Sequence, residues 1–160
     1  MSLGPRGQDL SSLPPSTPKV EVLLESHGAH CFGCGPENPK GLQLRVLDEG
    51  MLRVSSTFFV DSLFCGATGL AHGGILATAI DEVLSFLGRL LGLDVVTGQL
   101  TLSYCRPVLV NTTVDICARV TRQSGRKLYA EAAIQLSDGS VAVKGSALFI
   151  QVILDQEKPE

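Results

Sequence analysis

A histidine followed by two glycines, in Ala71-His72-Gly73-Gly74, is followed nine residues after the histidine by Asp81. Glycines at the start of a helix let a ligand approach the backbone, and the unpaired amides of the first turn point toward any negative charge that develops there. These parts predict an oxyanion-binding corner built on His72, Gly73 and Gly74. The plainer alternative is a tight turn that His72 caps. Asp81 falls in an apolar run, where a lone carboxylate is disfavoured and its pKa tends upward, an environment suited to a general base or a nucleophile. Its neighbour Glu82 is assigned to solvent or to a pairing with Arg89.

Geometry constrains how these groups can meet. At about 1.5 Å and 100° per residue, His72 and Asp81 lie roughly 13 Å apart along a helix and on nearly opposite sides of it. They cannot reach one reacting carbon from the same chain. A shared site requires two helices from two subunits lying antiparallel, so the spacing predicts a dimer with composite, paired sites.

A second cluster is Cys31-x-x-Cys34 with His27 and His30 just upstream. Such a pair is half of a structural zinc site, and no second pair stands at a ribbon or finger distance. The favoured reading is of small buried thiols in a tight loop, with no metal and no cofactor. Cys65, Cys105 and Cys117 read as core or strand residues. Five cysteines in a chain of 160 residues suit a reducing compartment.

Helix and sheet must position these residues. Residues 73–93 lack alternation, are rich in Leu, Ile and Ala, and are apolar nearly all round, which predicts a buried central helix of about five turns stopped at Gly92. Before it, residues 42–46 and 51–60 read as strands joined through Asp48-Glu49-Gly50. After it come strands over 95–105, 113–121, 128–136 and 141–152, with turns at Gln123-Ser124-Gly125 and Asp138-Gly139. A short helical turn is expected over 20–24 and a compact loop over 27–41. One apolar helix and a sheet with one apolar face are buried together by wrapping the sheet around the helix, an α+β architecture of hotdog type. Residues 1–19 read as a disordered tail, 20–154 as a single domain and 155–160 as a flexible tail.

The charge of -3 leaves no broad basic face, which argues against nucleic acid as a partner. Although 44% of residues are hydrophobic, Asp81, Glu82 and Arg89 interrupt the apolar runs short of a membrane span. No apolar secretory core is visible at the start, so a cytoplasmic address is expected.

With this order of elements, "AHGGILATAIDEVL" and "LSYCRPV" resemble the PaaI-like acyl-CoA thioesterases of the hotdog superfamily, and "HCFGCGPENPKGLQL" resembles the amino-terminal signature of one branch. The likeness runs from about His30 to Ile150. It implies that the Gly73 amide polarises a thioester oxygen, that His72 orients that end, and that Asp81 of a partner subunit activates water or attacks directly. It also implies that Thr97 holds the aspartate or the water. Gly66 stands where some relatives carry an assisting Asn or Gln, a departure that either leaves that role to backbone groups or lowers the rate. Arg106, Arg126 and Lys127, near strand ends or a hairpin, are candidates for coenzyme A phosphates. The expected partners are an acyl-CoA substrate and a second copy, as a homodimer or a dimer of dimers. Other readings are a non-catalytic acyl-CoA sensor and an acyl-thioester hydratase.

Overall fold

The computed structural model describes residues 22–153. Both expected tails, 1–19 and 155–160, lie outside the described residues. The regular elements among these residues follow in order: β1 (Val22–Leu23), β2 (Leu47–Gly50), β3 (Arg53–Val60), a short 3-10 helix (Ser62–Phe64), α1 (Gly73–Leu90), β4 (Val95–Tyr104), β5 (Thr112–Ser124), β6 (Lys127–Gln135) and β7 (Val141–Gln151). The strands form one antiparallel sheet in the order β1-β2-β3-β5-β6-β7-β4. The helical turn expected near residue 22 is instead a two-residue strand on β2.

Alternation along β5 and β6 sends Val114, Ile116 and Ala118, and Leu128, Ala130, Ala132 and Ile134, to the face that covers α1. From α1, Leu76, Ala79, Ile80, Val83, Leu84, Phe86 and Leu87 complete that core. The helix lies close to the sheet where Gly145 of β7 has no side chain. A Cβ there would stand 2.8 Å from Ile80 Cγ2. The helix stops as expected. Gly92 adopts φ +66°, its N–H bonds to the Arg89 carbonyl, and that of Leu93 bonds back to Gly88, a Schellman ending that glycine permits.

Two local expectations are corrected. Residues 42–46 bury Leu42, Leu44 and Val46 in alternation but join no strand. The amides of Leu42 and Leu44 instead bond to the carbonyls of Phe32 and Gly33, and the buried Ser56 hydroxyl donates to the Arg45 carbonyl. The segment is thus held by a loop and a side chain. The following hairpin turns at Met51 and Leu52, both at positive φ, while Asp48, Glu49 and Gly50 belong to β2. The Asp48 carboxylate accepts from the Gly50 amide and stabilises this end of the strand.

The sheet ends on β4. Its register shifts between Thr97 and Gln99, where a Cβ on Gly98 would come within 3.2 Å of the Leu148 carbonyl oxygen. This bulge turns Thr97 toward α1. Along its other edge β4 has no neighbour among the described residues, and Val96 and Tyr104 are exposed. No helix among the described residues is long and apolar enough to cross a membrane.

Candidate active site

The start of α1 is set by His72, whose extended backbone precedes the helix and whose Nδ1 accepts from the Gly74 amide at 2.9 Å. The capping alternative is therefore present, and it occupies Gly74. The Gly73 N–H differs: among the described residues no acceptor meets it. On the other side of that residue, the Tyr104 hydroxyl donates to the Gly73 carbonyl at 2.8 Å. The first turn is thus tethered to β4 while one of its amides is left without an acceptor among the described residues. A cleft of about 240 Å³ opens beside it, lined by Leu70, Gly73, Leu76, Tyr104, Arg106 and Val108, among others.

Gly66 lies against this corner. Its amide bonds to the Leu70 carbonyl, and a Cβ would stand 3.0 Å from His72 Cα. A side chain there would crowd the residue that caps α1, which would have to give by a few tenths of an ångström.

Asp81 sits about two turns further along α1, with Thr97 Oγ1 donating to its Oδ1 at 2.9 Å. Desolvation pushes the Asp81 carboxyl above the usual carboxylate range, the Thr97 bond works against that rise, and the nearby Glu82 charge adds to it. The cleft around this pair, about 460 Å³, is lined by Asp81, Glu82, Ser85, Val95, Thr97 and Phe149, among others. A carboxylate in such a place can take a proton from water or attack an electrophile.

Within one chain the two halves stay apart. Gly73 and Asp81 are eight residues, or roughly 12 Å, apart along α1. Their partners Tyr104 and Thr97 mark the opposite ends of β4. The cationic candidates are divided in the same way. Arg106 lines the Gly73 cleft, and its amide bonds to Ala142 at the start of β7. Arg126 donates twice to the Gln151 carbonyl at the far end of β7, and exposed Lys127 pairs with Ile150 beside it.

Glu82 departs from expectation. It neither faces solvent nor pairs with Arg89, whose guanidinium donates to the carbonyls of Glu25 and Ser26. Its Oε1 lies 2.7 Å from His27 Nδ1, and the Cys31 thiol approaches both carboxylate oxygens at 3.6 and 3.7 Å. Burial opposes the charge on Glu82, but the His27 and Cys34 contacts outweigh it and hold the group below the usual carboxylate range. Burial, then Glu82, push the Cys34 thiol strongly up. His30 stands outside this group, largely exposed and 3.9 Å from Glu37. The sequence offered the Cys31-x-x-Cys34 pair with His27 and His30 upstream as a signal but nothing for the acid, which arrives from α1.

Residues 68–143 match the family model of the thioesterase superfamily. The chain is 33% identical over 95 residues to acyl-coenzyme A thioesterase THEM4 of Rattus norvegicus, a match covering 59% of this chain and 40% of that protein. The matched part is thus well under half of the curated relative's length. Among solved structures, the thioesterase superfamily protein RHA08564 superposes with a TM-score of 0.72 at 27% identity, covering 76% of this chain and 60% of the other. The Escherichia coli PaaI protein superposes with a TM-score of 0.66 at 20% identity, covering 74% and 88%, and shares the fold.

Proposed function

We propose that this chain, whose residues 68–143 match the family model of the thioesterase superfamily, hydrolyses an acyl-CoA thioester to the free acid and coenzyme A at a site shared by two copies. The observation that carries this reading is the Asp81 carboxylate, held by Thr97 at 2.9 Å in a cleft that admits a ligand. The unengaged Gly73 amide at the start of α1 supplies the second half.

Asp81 removes a proton from water as the water oxygen attacks the thioester carbonyl carbon. The carbonyl electron pair moves onto oxygen, and the partner subunit's Gly73 N–H stabilises that charge. Collapse of the intermediate breaks the C–S bond, and the proton held by Asp81 passes to the departing thiolate. A thiolate leaves readily, so a carboxylate and an amide donor suffice without a Ser-His-Asp set. The exposed β4 edge, with Val96 and Tyr104 along it, is where the second copy would add its own β4. Arg106, Arg126 and Lys127 are assigned to the phosphates of the coenzyme, and the acyl chain to the cleft beside Leu76 and Val108.

The test is release of free coenzyme A from short, long and aromatic acyl-CoA substrates. Asp81→Ala should lower kcat by about 10²- to 10⁴-fold while acyl-CoA still binds. Tight acyl-CoA binding with no hydrolysis by the unaltered protein would replace this reading with the sensor. Hydration of an enoyl-CoA with the thioester left intact would replace it with the hydratase.

A further inference from the structure

Four side chains that the hydrolytic reading does not use converge beside Asp81. One ligand atom from each of His27, Cys31, Cys34 and Glu82 lies within 4.8 Å of every other. Three come from the loop before β2 and the fourth from the middle of α1. We propose that these four residues bind a zinc ion, which fastens the loop to the helix.

Two of the ligand separations match such an ion, and all of them lie within 4.8 Å. Bonds of about 2.0 Å to nitrogen or oxygen and 2.3 Å to sulfur place neighbouring ligands of a tetrahedral zinc roughly 3.3–3.8 Å apart. Cys34 Sγ is 3.5 Å from His27 Nδ1, and Cys31 Sγ is 3.6 and 3.7 Å from the two Glu82 oxygens. The 2.7 Å contact between His27 Nδ1 and Glu82 Oε1 is shorter, a hydrogen-bond distance that a shared cation would open.

The surroundings are shaped for the same purpose. A Cβ on Gly33 would stand 2.3 Å from the Glu82 carboxyl carbon, so glycine is needed for the carboxylate to reach between the cysteines. A Cβ on Gly35 would meet the Cys31 backbone at 2.5 Å, and the Gly35 amide closes the turn onto the Cys31 carbonyl at 2.8 Å. The His27 amide donates to Cys34 Sγ at 3.1 Å, a contact that stabilises a thiolate. The imidazole packs on Phe86 with ring centroids 4.3 Å apart, and its Nε2 lies 3.4 Å from the Ser85 hydroxyl. An oriented imidazole with its second nitrogen partnered is the usual support of a metal-binding histidine.

Two thiols, an imidazole and a carboxylate suit zinc better than magnesium or calcium, which prefer oxygen ligands. With all four positions taken by protein, the ion would be structural. Hydrolysis is carried by Asp81 and Gly73, so the two readings stand or fall separately.

The experiment uses the full chain, purified reduced, with metal content measured by mass spectrometry and cobalt(II) then exchanged for zinc. Zinc at one equivalent per chain is expected, and cobalt should give thiolate-to-metal absorption in the near ultraviolet with strong tetrahedral bands in the visible. Cys31→Ser combined with Cys34→Ser should abolish the thiolate band, while Cys65→Ser combined with Cys105→Ser should leave it. Glu82→Ala should move the visible bands and keep the thiolate band. Chelation should lower Tm, and zinc but not magnesium should restore it. Absence of metal together with no cobalt absorption in the reduced, unaltered protein overturns the proposal, whether or not the variants fold. A thiolate band that survives in the Cys31, Cys34 double variant overturns it too, as does a Cys31–Cys34 disulfide that persists under reducing conditions.

Discussion

The Thr97 hydroxyl donates to one oxygen of Asp81, and in the proposed mechanism this makes it a positioning residue that leaves the other oxygen for water. A hydrogen bond to a charged group is worth roughly 1.5–3 kcal/mol, but Thr97 is exposed, and solvent replaces part of what its removal takes away. Thr97→Val should therefore lower kcat about tenfold, with KM and Tm little changed, and Thr97→Ser should recover most of the loss. Full turnover in the valine variant would remove Thr97 from the site. That His72 caps, and Gly73 and Asp81 lie on, one helix was legible in the sequence, because a long apolar run without alternation marks that helix. Thr97 entered only through family resemblance, since nothing local marks a strand threonine as the partner of a helix carboxylate 16 residues earlier. The contact of Glu82 with His27 was hidden for a stronger reason. It joins residues 55 apart, one of them in a loop without periodicity, and next to Arg89 an ion pair along the helix was the simpler local expectation.

The helix announced itself by length and lack of alternation, the strands after it by alternation and turn residues, and each falls within three residues of its expected bounds. Where the expectation slipped, the controlling bonds were not local. Residues 42–46 carry the alternation of a strand but take their partners from the carbonyls of Phe32 and Gly33. The turn moved to Met51 and Leu52, residues that enter the left-handed region without a composition cue. The packing of α1 on the sheet also has a non-local determinant in Gly145, which no strand pattern would single out. Gly145→Ala would place a methyl 2.8 Å from Ile80 Cγ2 and 3.0 Å from Leu102 Cδ2. Both neighbours lie between helix and strands with little room to move, so the variant should lose about 1–3 kcal/mol in urea unfolding. An unchanged midpoint would mean that α1 is not seated on β7 this closely.

At the scale of the whole molecule, the two halves of the proposed site mark opposite ends of β4, and β4 is an open edge. If two β4 strands pair antiparallel about an axis near Leu100 and Thr101, Thr97 of one copy faces the partner subunit's Tyr104. Each Asp81 then meets the other copy's first helical turn. The same rotation brings the Arg126 end of one chain toward the Arg106 end of the other, gathering cations that a single chain keeps apart. Gly73→Pro tests this arrangement with little harm to the fold. Proline is favoured at the first helical position, His72 already has the extended backbone (ψ 130°) that a following proline requires, and a Cβ at residue 73 would meet Tyr104 at an ordinary 3.5 Å. The variant should keep its Tm and lose about 10²- to 10³-fold in kcat, as removal of one oxyanion donor does. Mixed with Asp81→Ala under subunit exchange, it should regain what neither variant has alone. About half of the dimers would pair the two variants, and each of these would hold one intact site, returning about a quarter of the original activity. Mixed dimers verified by differential tags but without activity would show that Asp81 and Gly73 do not serve one carbonyl across the interface.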